Sequence, residues 1–509
     1  MNPLNAEHLP NLSPTEGDLK RHSIQGGAIT LTAQGIKFAL QFAAMIVLAR
    51  LLTPEDYGLY SIAIAVTTFV TLFKDMGLHT ATVQSETLDH QQASALFWIN
   101  VMLGFLLALF TAILAPVVSW VYHEPRLHGM LLAMAITFVF YGLSNHHISI
   151  LWRQMRFYPI ALIEIAQVIV GVSAGILAAW HGLGYWALVI SHVVIVMTRT
   201  FCAFLALRWV PSLTHMASVR ALVAFGGQVT GVYFLSYLNR YVDNLLIGFF
   251  RGVRELGFYD KAYQLLLLPL SQIGLPISSV AIAVLSRLQN DWVRFRKYYV
   301  RIILLNATLG MPLVAFLFVA TDQVVALVLG DRWSAVVPLF RALALAAFVD
   351  TFLPAVGWML ASLGQTKRYL QSAVVISAIT LMGLIIGVQW GAFGVAIAFS
   401  VCRVGVALPY MVFGFRHSPF HWSEILYTLF RPGFAALTAA LILNSMIAWV
   451  SIPENLLASM LLASSVYIAL YSILWVLVPG GKEMLREILR LIGSLWEKPA
   501  TPTITNVVN

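Results

Sequence analysis

The chain is 509 residues long, 60% apolar and only 10% charged, well below the roughly 25% charged share of soluble globular domains. At about 20 apolar residues per bilayer span, its roughly 305 apolar residues would fill about fifteen spans, which excludes a cytosolic enzyme. Long unbroken apolar runs also exclude a transmembrane barrel, whose short segments alternate. The expected fold class is therefore an all-α polytopic membrane protein.

In chain order, a polar segment over 1–27 lacks the apolar core of a signal peptide, so the first span is expected to double as the insertion signal. Apolar runs bounded by charge and turn residues predict helices over 28–51, 57–74, 93–121, 129–150, 158–180 and 183–207. A second set follows over 221–250, 256–286, 298–320, 334–362, 369–389 and 392–415, and two more over 432–450 and 457–478 make fourteen. After Pro479, residues 482–498 put Leu485, Ile488, Leu489, Ile492, Leu495 and Trp496 opposite Lys482, Arg486 and Arg490, the pattern of an amphipathic helix on the inner leaflet. Cys202 and Cys402 each sit inside an apolar run and read as small buried hydrophobes.

Positive charge is retained on the cytoplasmic side. With the N-terminus inside, nineteen lysines and arginines fall in cytoplasmic segments, against five (Arg50, Arg126, Arg251, Arg254 and Arg332) on the other side. Both termini are thus expected in the cytoplasm, and the surplus of +9 reads as topology and contact with anionic membrane lipid, with no nucleic-acid partner. No inter-span loop exceeds about 20 residues and no G-x-x-x-x-G-K-[ST] pattern occurs, so no soluble catalytic or ATP-hydrolysing domain is expected.

The chain repeats itself. Asp56-Tyr57-Gly58-Leu59-Tyr60 matches Glu255-Leu256-Gly257-Phe258-Tyr259 at an offset of 199, Arg156-Phe157 matches Arg368-Tyr369 at 212, and Gly182-Leu183-Gly184 parallels Gly391-Ala392-Phe393-Gly394. Because each unit has six helices, an even number, the two lobes, 28–207 and 221–415, form a parallel repeat with a cavity expected between them. Helices over 432–478 stand outside it.

Leu51-Leu52-Thr53-Pro54-Glu55-Asp56-Tyr57-Gly58 and Lys74-Asp75-Met76-Gly77-Leu78 followed by Val83-Gln84 resemble the opening signature of the polysaccharide transporters of the MOP exporter superfamily. Ala262-Tyr263 with Pro269, Leu285-Ser286-Arg287, Trp333 after Gly330-Asp331, and Gly364-Gln365-Thr366-Lys367 are similar to its later signatures, so the resemblance covers roughly residues 20 to 480. It implies a MATE-like plan of twelve helices in two lobes plus two. It also implies outward flipping of an undecaprenyl-pyrophosphate-linked oligosaccharide, with a polymerase and export machinery as candidate partners. It does not identify the glycan.

Charges within a span cost about 2.5 to 3.5 kcal/mol on insertion scales, so those retained usually face a cavity. Thr30, Gln34, Lys37 and Gln41 share one face of the first helix, and Tyr233, Ser236, Tyr237, Arg240, Asp243 and Asn244 form a stripe on the seventh. The 199 offset superposes Gln34 on Tyr233, Lys37 on Ser236 and Gln41 on Arg240, so both stripes are expected to face one cavity, with Lys37 and Arg240 holding the pyrophosphate. An internal pair of Arg240 with Asp243 is the structural alternative. Asp243, Asp260, Glu164 and Asp350 are candidates for a gate or for ion coupling, and Arg199 and Arg403 for further cavity cations or for snorkelling. His146-His147 lacks a further ligand at metal spacing and is expected at the interface. No catalytic residue, metal or cofactor is expected, and the choice between proton and sodium coupling stays open. Two rivals remain: a cation-coupled drug antiporter, whose site should be rich in carboxylates, and a membrane glycosyltransferase or polymerase, which needs an acidic pair and a large loop.

Overall fold

The computed structural model describes residues 16–73, 82, 89–212, 237, 240–416, 418, 421–449 and 455–477. Residues 221–239 of the helix predicted over 221–250, apart from Tyr237, and the amphipathic stretch 482–498 lie outside them, as do the motifs at 74–78 and 83–84. We number the helices α1 (Glu16–Leu51), α2 (Pro54–Thr71), α3 (His90–Val121), α4 (Arg126–Arg153), α5 (Phe157–Trp180) and α6 (Trp186–Ala206), then α7 over 240–251. They continue as α8 (Val253–Arg287), α9 (Trp292–Val319), α10 (Thr321–Val328), α11 (Val336–Asp350), α12 (Pro354–Ser362), α13 (Thr366–Gly387), α14 (Gly391–Phe415), α15 (Trp422–Trp449) and α16 (Leu456–Leu477).

The all-helical membrane fold holds. Among the described residues eleven stretches are long and apolar enough to cross a bilayer, and one of them, Thr366–Phe415, is 50 residues long and divides at Gly391 into α13 and α14. With α2 and the partly described seventh helix, fourteen crossings are accommodated. Large apolar side chains such as Phe105, Leu109, Ile113 and Trp120 stand exposed along α3, as hydrocarbon-facing residues do.

Several boundaries differ from the sequence expectation, among them the start of the first helix, which lies at Glu16 and not at 28. The predicted span 334–362 divides into α11 and α12, because Pro354 lacks the backbone N–H that a continuous helix would use and opens a new helix in its place, although Leu353 before it keeps helical dihedrals. The thirteenth helix begins at Trp422, ten residues early, with Pro432 inside it instead of at its start. The loop after α9 forms a short helix of its own, α10. Elsewhere local chemistry sets the starts. Thr53 caps α2 with a reciprocal Asp56 bond and Pro54 in the first turn, and Asp89 with Gln92 does the same for α3.

The chain divides into two compact units: Met1–Ala262 with Val328–Leu339 and Ala373–Phe399, and Tyr263–Leu327 with Phe340–Ser372 and Ser400–Asn509. The first therefore takes in all of the first predicted lobe plus parts of the second. In it, α3 and α4 cross closely: a Cβ on Gly104 would lie 2.5 Å from the Phe138 carbonyl, and one on Gly142 would lie 2.6 Å from that of Asn100. Asn145 donates across the crossing to Asn100 at 3.3 Å. Small residues that admit the neighbouring backbone, with a polar bond beside them, are the usual lock between helices in lipid.

The second unit repeats this lock. Asn306 of α9 donates to the Thr351 carbonyl at 2.5 Å, and a Cβ on Gly310 would meet the Thr351 side chain at 2.8 Å. Asn100-x-x-x-Gly104 thus recurs as Asn306-x-x-x-Gly310 at an offset of 206, and the partner positions 145 and 351 keep that offset. This extends the internal duplication to helices where the sequence reading found none.

The histidine pair sits deeper than expected. His146 and His147 are fully buried, not interfacial, because α4 continues to Arg153 and is covered by α6 and Trp209. The His147 ring lies 4.1 Å from that of Phe204.

Candidate functional site

The most constrained contact in the first unit is the meeting of the two duplicated motifs. A Cβ on Gly58 would lie 1.7 Å from the Val253 carbonyl oxygen, and one on Gly257 would lie 1.8 Å from that of Pro54. Under the 199 offset Gly58 corresponds to Gly257 and Pro54 to Val253, so the contact is reciprocal. The first turns of α2 and α8 touch backbone to backbone, and only glycine permits this.

The surroundings repeat the symmetry. A Cβ on Gly184 would sit 3.1 Å from the Asp56 carboxylate, and one on Gly391 would sit 2.8 Å from that of Glu255, the 199-offset equivalent of Asp56. Glu255 also accepts from the Ala392 backbone N–H at 2.9 Å. Both glycines have positive φ, +52° and +76°. Each motif carboxylate therefore lies against the glycine turn that opens the last helix of its repeat, and Glu255 is bonded to it.

Polar groups pack around this closure. Asp243 accepts from the Tyr259 hydroxyl at 2.7 Å and from the Asn244 N–H at 2.9 Å, and the Asn244 amide lies 3.5 Å from Asp260. The Lys261 ammonium lies 3.6 Å from the centroid of the Tyr57 ring, a cation–π contact in which both residues are buried. Trp333, fully buried, donates its indole N–H to the Ala49 carbonyl at 2.9 Å and packs edge-on against Tyr57. Tyr237 donates to the Ala65 carbonyl at 3.1 Å and is buried. Its hydroxyl is thus spent in bonding α2, and Arg240, three residues on, is exposed.

On α1, Gln34 and Gln41 are exposed and Lys37 is partly so. Lys37 lies 3.5 Å from Glu164 of α5, with the two side chains 26% and 31% accessible. In the second unit, Arg403 of α14 lies 3.8 Å from Asp350 of α11. Arg199, on α6, has its guanidinium carbon 5.4 Å from the Tyr141 ring centroid. The two carboxylates that looked isolated in sequence are therefore each beside a cation from another helix. Sequence spacing could not pair them, since their partners lie 127 and 53 positions away.

The structure brings Asp243 and Asp260 into one cluster with Asn244 and Tyr259, ties Tyr237 to α2, and sets Lys37 with Glu164. Reading the sequence missed the reciprocal Gly58 and Gly257 contact, although the 199 offset already superposed them. It also missed Trp333 as the tie to Ala49. Among the described residues no group of three or more His, Cys, Asp or Glu side chains is arranged to hold a metal.

Comparison with known proteins follows the same lines. The polysaccharide biosynthesis protein family matches residues 47–338. The lipopolysaccharide biosynthesis protein WzxC of Escherichia coli K12 is 22% identical over 394 residues, 76% of this chain and 79% of that protein. In fold, the lipid II flippase MurJ in an inward closed conformation superposes with a TM-score of 0.72 at 15% identity, over 87% of this chain and 98% of MurJ. An inward-facing multidrug MATE transporter of the MOP superfamily superposes with a TM-score of 0.62 at 14% identity, over 77% and 96%. With more than half of its length matched, the chain belongs to the polysaccharide biosynthesis protein family.

Proposed function

We propose that the chain is a flippase, not an enzyme, that carries an undecaprenyl-pyrophosphate-linked oligosaccharide outward across the bacterial cytoplasmic membrane by alternating access. The reciprocal seam of Gly58 and Gly257 carries the reading. It supports a gate that closes one end of the path by backbone contact, backed by the Lys261 ammonium on the Tyr57 ring. The nineteen-to-five charge asymmetry supports placing the seam at the outer end and both termini in the cytoplasm.

Lys37 would receive the pyrophosphate. Its ion pair with Glu164 is partly exposed, so an incoming phosphate can compete for the ammonium. A multi-anion cannot enter hydrocarbon bare, and a displaced Glu164 carboxylate would be costly unless it takes up a proton or sodium ion. Glu164 thereby becomes the point where an exchanged cation couples to the substrate, with no bound cofactor. Outward movement of each negative charge also gains about 2.3 kcal/mol per 100 mV from a cytoplasm-negative potential. The isoprenoid tail stays in lipid, and a polymerase and export machinery would receive the product.

Mass spectrometry of lipid-linked intermediates in a deletion strain tests the function. Accumulation of a complete lipid-linked oligosaccharide is expected. An unchanged intermediate pool, together with sensitivity to cationic drugs, would instead favour the antiporter reading.

A further inference from the structure

Beyond α6 the chain runs without helix over 207–212, leading from the first repeat toward the second. This segment is fastened to the start of α3 and the end of α4. The Ser212 N–H donates to the Ser94 hydroxyl at 3.0 Å, and the Trp98 indole donates to the Ser212 carbonyl at 3.1 Å. Trp209 bonds at both ends: its indole N–H donates to Nδ1 of His90 at 3.1 Å, and its carbonyl accepts from Nε2 of His147 at 3.4 Å. The Trp209 ring also packs on His146, with centroids 5.4 Å apart. His146 is 0% exposed, and among the described residues neither of its ring nitrogens has a hydrogen-bond partner.

This arrangement holds only while the imidazoles are neutral. An indole N–H can only donate, so His90 must keep Nδ1 bare to receive it, and a proton there would set two donors against each other. A charge on His146 would be buried without an acceptor and beside His147. The surrounding elements offer no relief. Asp89, before α3, is exposed and accepts from the Gln92 N–H at 2.6 Å, and Arg153, ending α4, donates to the Thr82 carbonyl at 3.1 Å. Arg208 on the segment itself is exposed, while α6 adds Cys202 and α5 adds Ile160 and Ile163 to the apolar cluster that Trp209 joins. No ion pair among the described residues involves any of the three histidines.

We infer that residues 207–212 are a pH-sensitive strap, held to α3 and α4 while His90 is neutral and released when the side of the membrane that bears it turns acidic. The charge asymmetry supports the cytoplasm as that side. His90 is the trigger, because it is partly exposed and reached by water, whereas His146 is reached only after Trp209 has lifted. Once uncovered, His146 and His147 take up protons too and oppose refastening. The released state therefore binds more protons than the fastened one, so fastening strengthens as pH rises and is lost as pH falls below about 6.5, where imidazoles in water become charged. Release frees roughly 20 Å of extended chain between the repeats. The device is independent of the cargo and stands whatever the protein carries.

The test is hydrogen exchange of the full-length protein in lipid nanodiscs at about pH 7.5 and about pH 5.5, on either side of the imidazole range, with protection expressed relative to the intrinsic rate at each pH. Protection over 207–212 should fall roughly tenfold or more at the lower pH while peptides of α5 keep theirs. His90→Asn, whose side-chain oxygen can accept the indole N–H without titrating, should stay protected at both pH values. His146→Phe, which fills the same space, should move release to lower pH, and this second reading does not depend on asparagine reproducing the His90 bond. Equal protection of the unaltered protein at the two pH values would overturn the assignment, as would an unchanged response in both variants. Loss of protection in α5 together with the strap would overturn it too, since it would mark general acid unfolding.

Discussion

Arg199 and Arg403 lie on the last helices of the two repeats, α6 and α14, yet one stacks on Tyr141 and the other pairs with Asp350. The lock beneath them is shared: Asn100 with Gly104 in one repeat, Asn306 with Gly310 in the other. Framework residues have thus been held fixed while the chemistry mounted on them diverged. A helix crossing at near-contact distance tolerates no change of volume, whereas a partly exposed cation can exchange an aromatic face for a carboxylate with modest loss.

The largest effect that could break this comparison is at the seam. Gly58→Val or Gly257→Val puts a side chain where even a Cβ would overlap a carbonyl, and overpacking of this kind costs about 1 to 3 kcal/mol or more. Either should cut glycan export by roughly ten- to hundredfold while membrane insertion persists. Cysteines at Ser61 and Asp260, corresponding positions just past the glycines, should crosslink in the parent and fail to do so in these variants. Full export with a quantitative crosslink would mean that the seam never has to open.

Next comes the loss of the charge on α1. Lys37→Ala removes a charge-assisted contact of about 1.5 to 3 kcal/mol, so export should fall roughly ten- to hundredfold with normal protein level. Lys37→Arg should keep more activity than Lys37→Gln. Glu164→Gln should retain substrate binding but lose its dependence on the exchanged cation, measured as uptake into vesicles with and without an imposed gradient. Arg240→Ala alone is ambiguous, because it alters the surroundings of Asp243. If Arg240→Ala combined with Asp243→Ala restores export, Arg240 served the helix and not the substrate.

Smaller effects sharpen the contrast between the two arginines. Asp350→Asn removes the carboxylate beside Arg403 and should destabilise the protein by about 1 to 3 kcal/mol, discounted from the fully buried case because both side chains remain a quarter exposed. Arg199→Gln should cost only about 0.5 to 1 kcal/mol, the value of an exposed cation–π contact. Thermal melts in detergent would compare them. Equal destabilisation would erase the distinction between the repeats.

Most of the architecture was legible because lipid leaves few choices: apolar runs of sufficient length must be helices, and the lysines and arginines between them order the crossings. The repeat at Asp56 and Glu255 was legible because two identities, glycine and tyrosine, stand with two similar pairs in five residues, and further matches follow in the same order along the chain. Asn100-x-x-x-Gly104 was not, since two residues in five carry no signal until the helices are seen to cross there. Nor were Glu164 and Asp350 legible as partners, because a helix face says nothing about which distant helix will cover it. His146 and His147 misled for a related reason. Polar residues near the end of a run suggest an interface, but the buried α4 extends past them and Trp209 folds over the pair.

The reciprocal seam also has the form of an isologous interface, in which residue i of one copy touches j of the other and j touches i. Pro54 on Gly257 and Val253 on Gly58 would be a single contact seen twice if the two repeats were separate, identical chains. In such a homodimer every substitution in the motif would act on both sides of the axis, and an aspartate or lysine placed there would face its own like charge. Fusion into one chain lifts that restriction. It lets Ser61 stand opposite its counterpart Asp260 and Ile62 opposite Lys261, so that a closure symmetric in its backbone can carry an asymmetric set of charges.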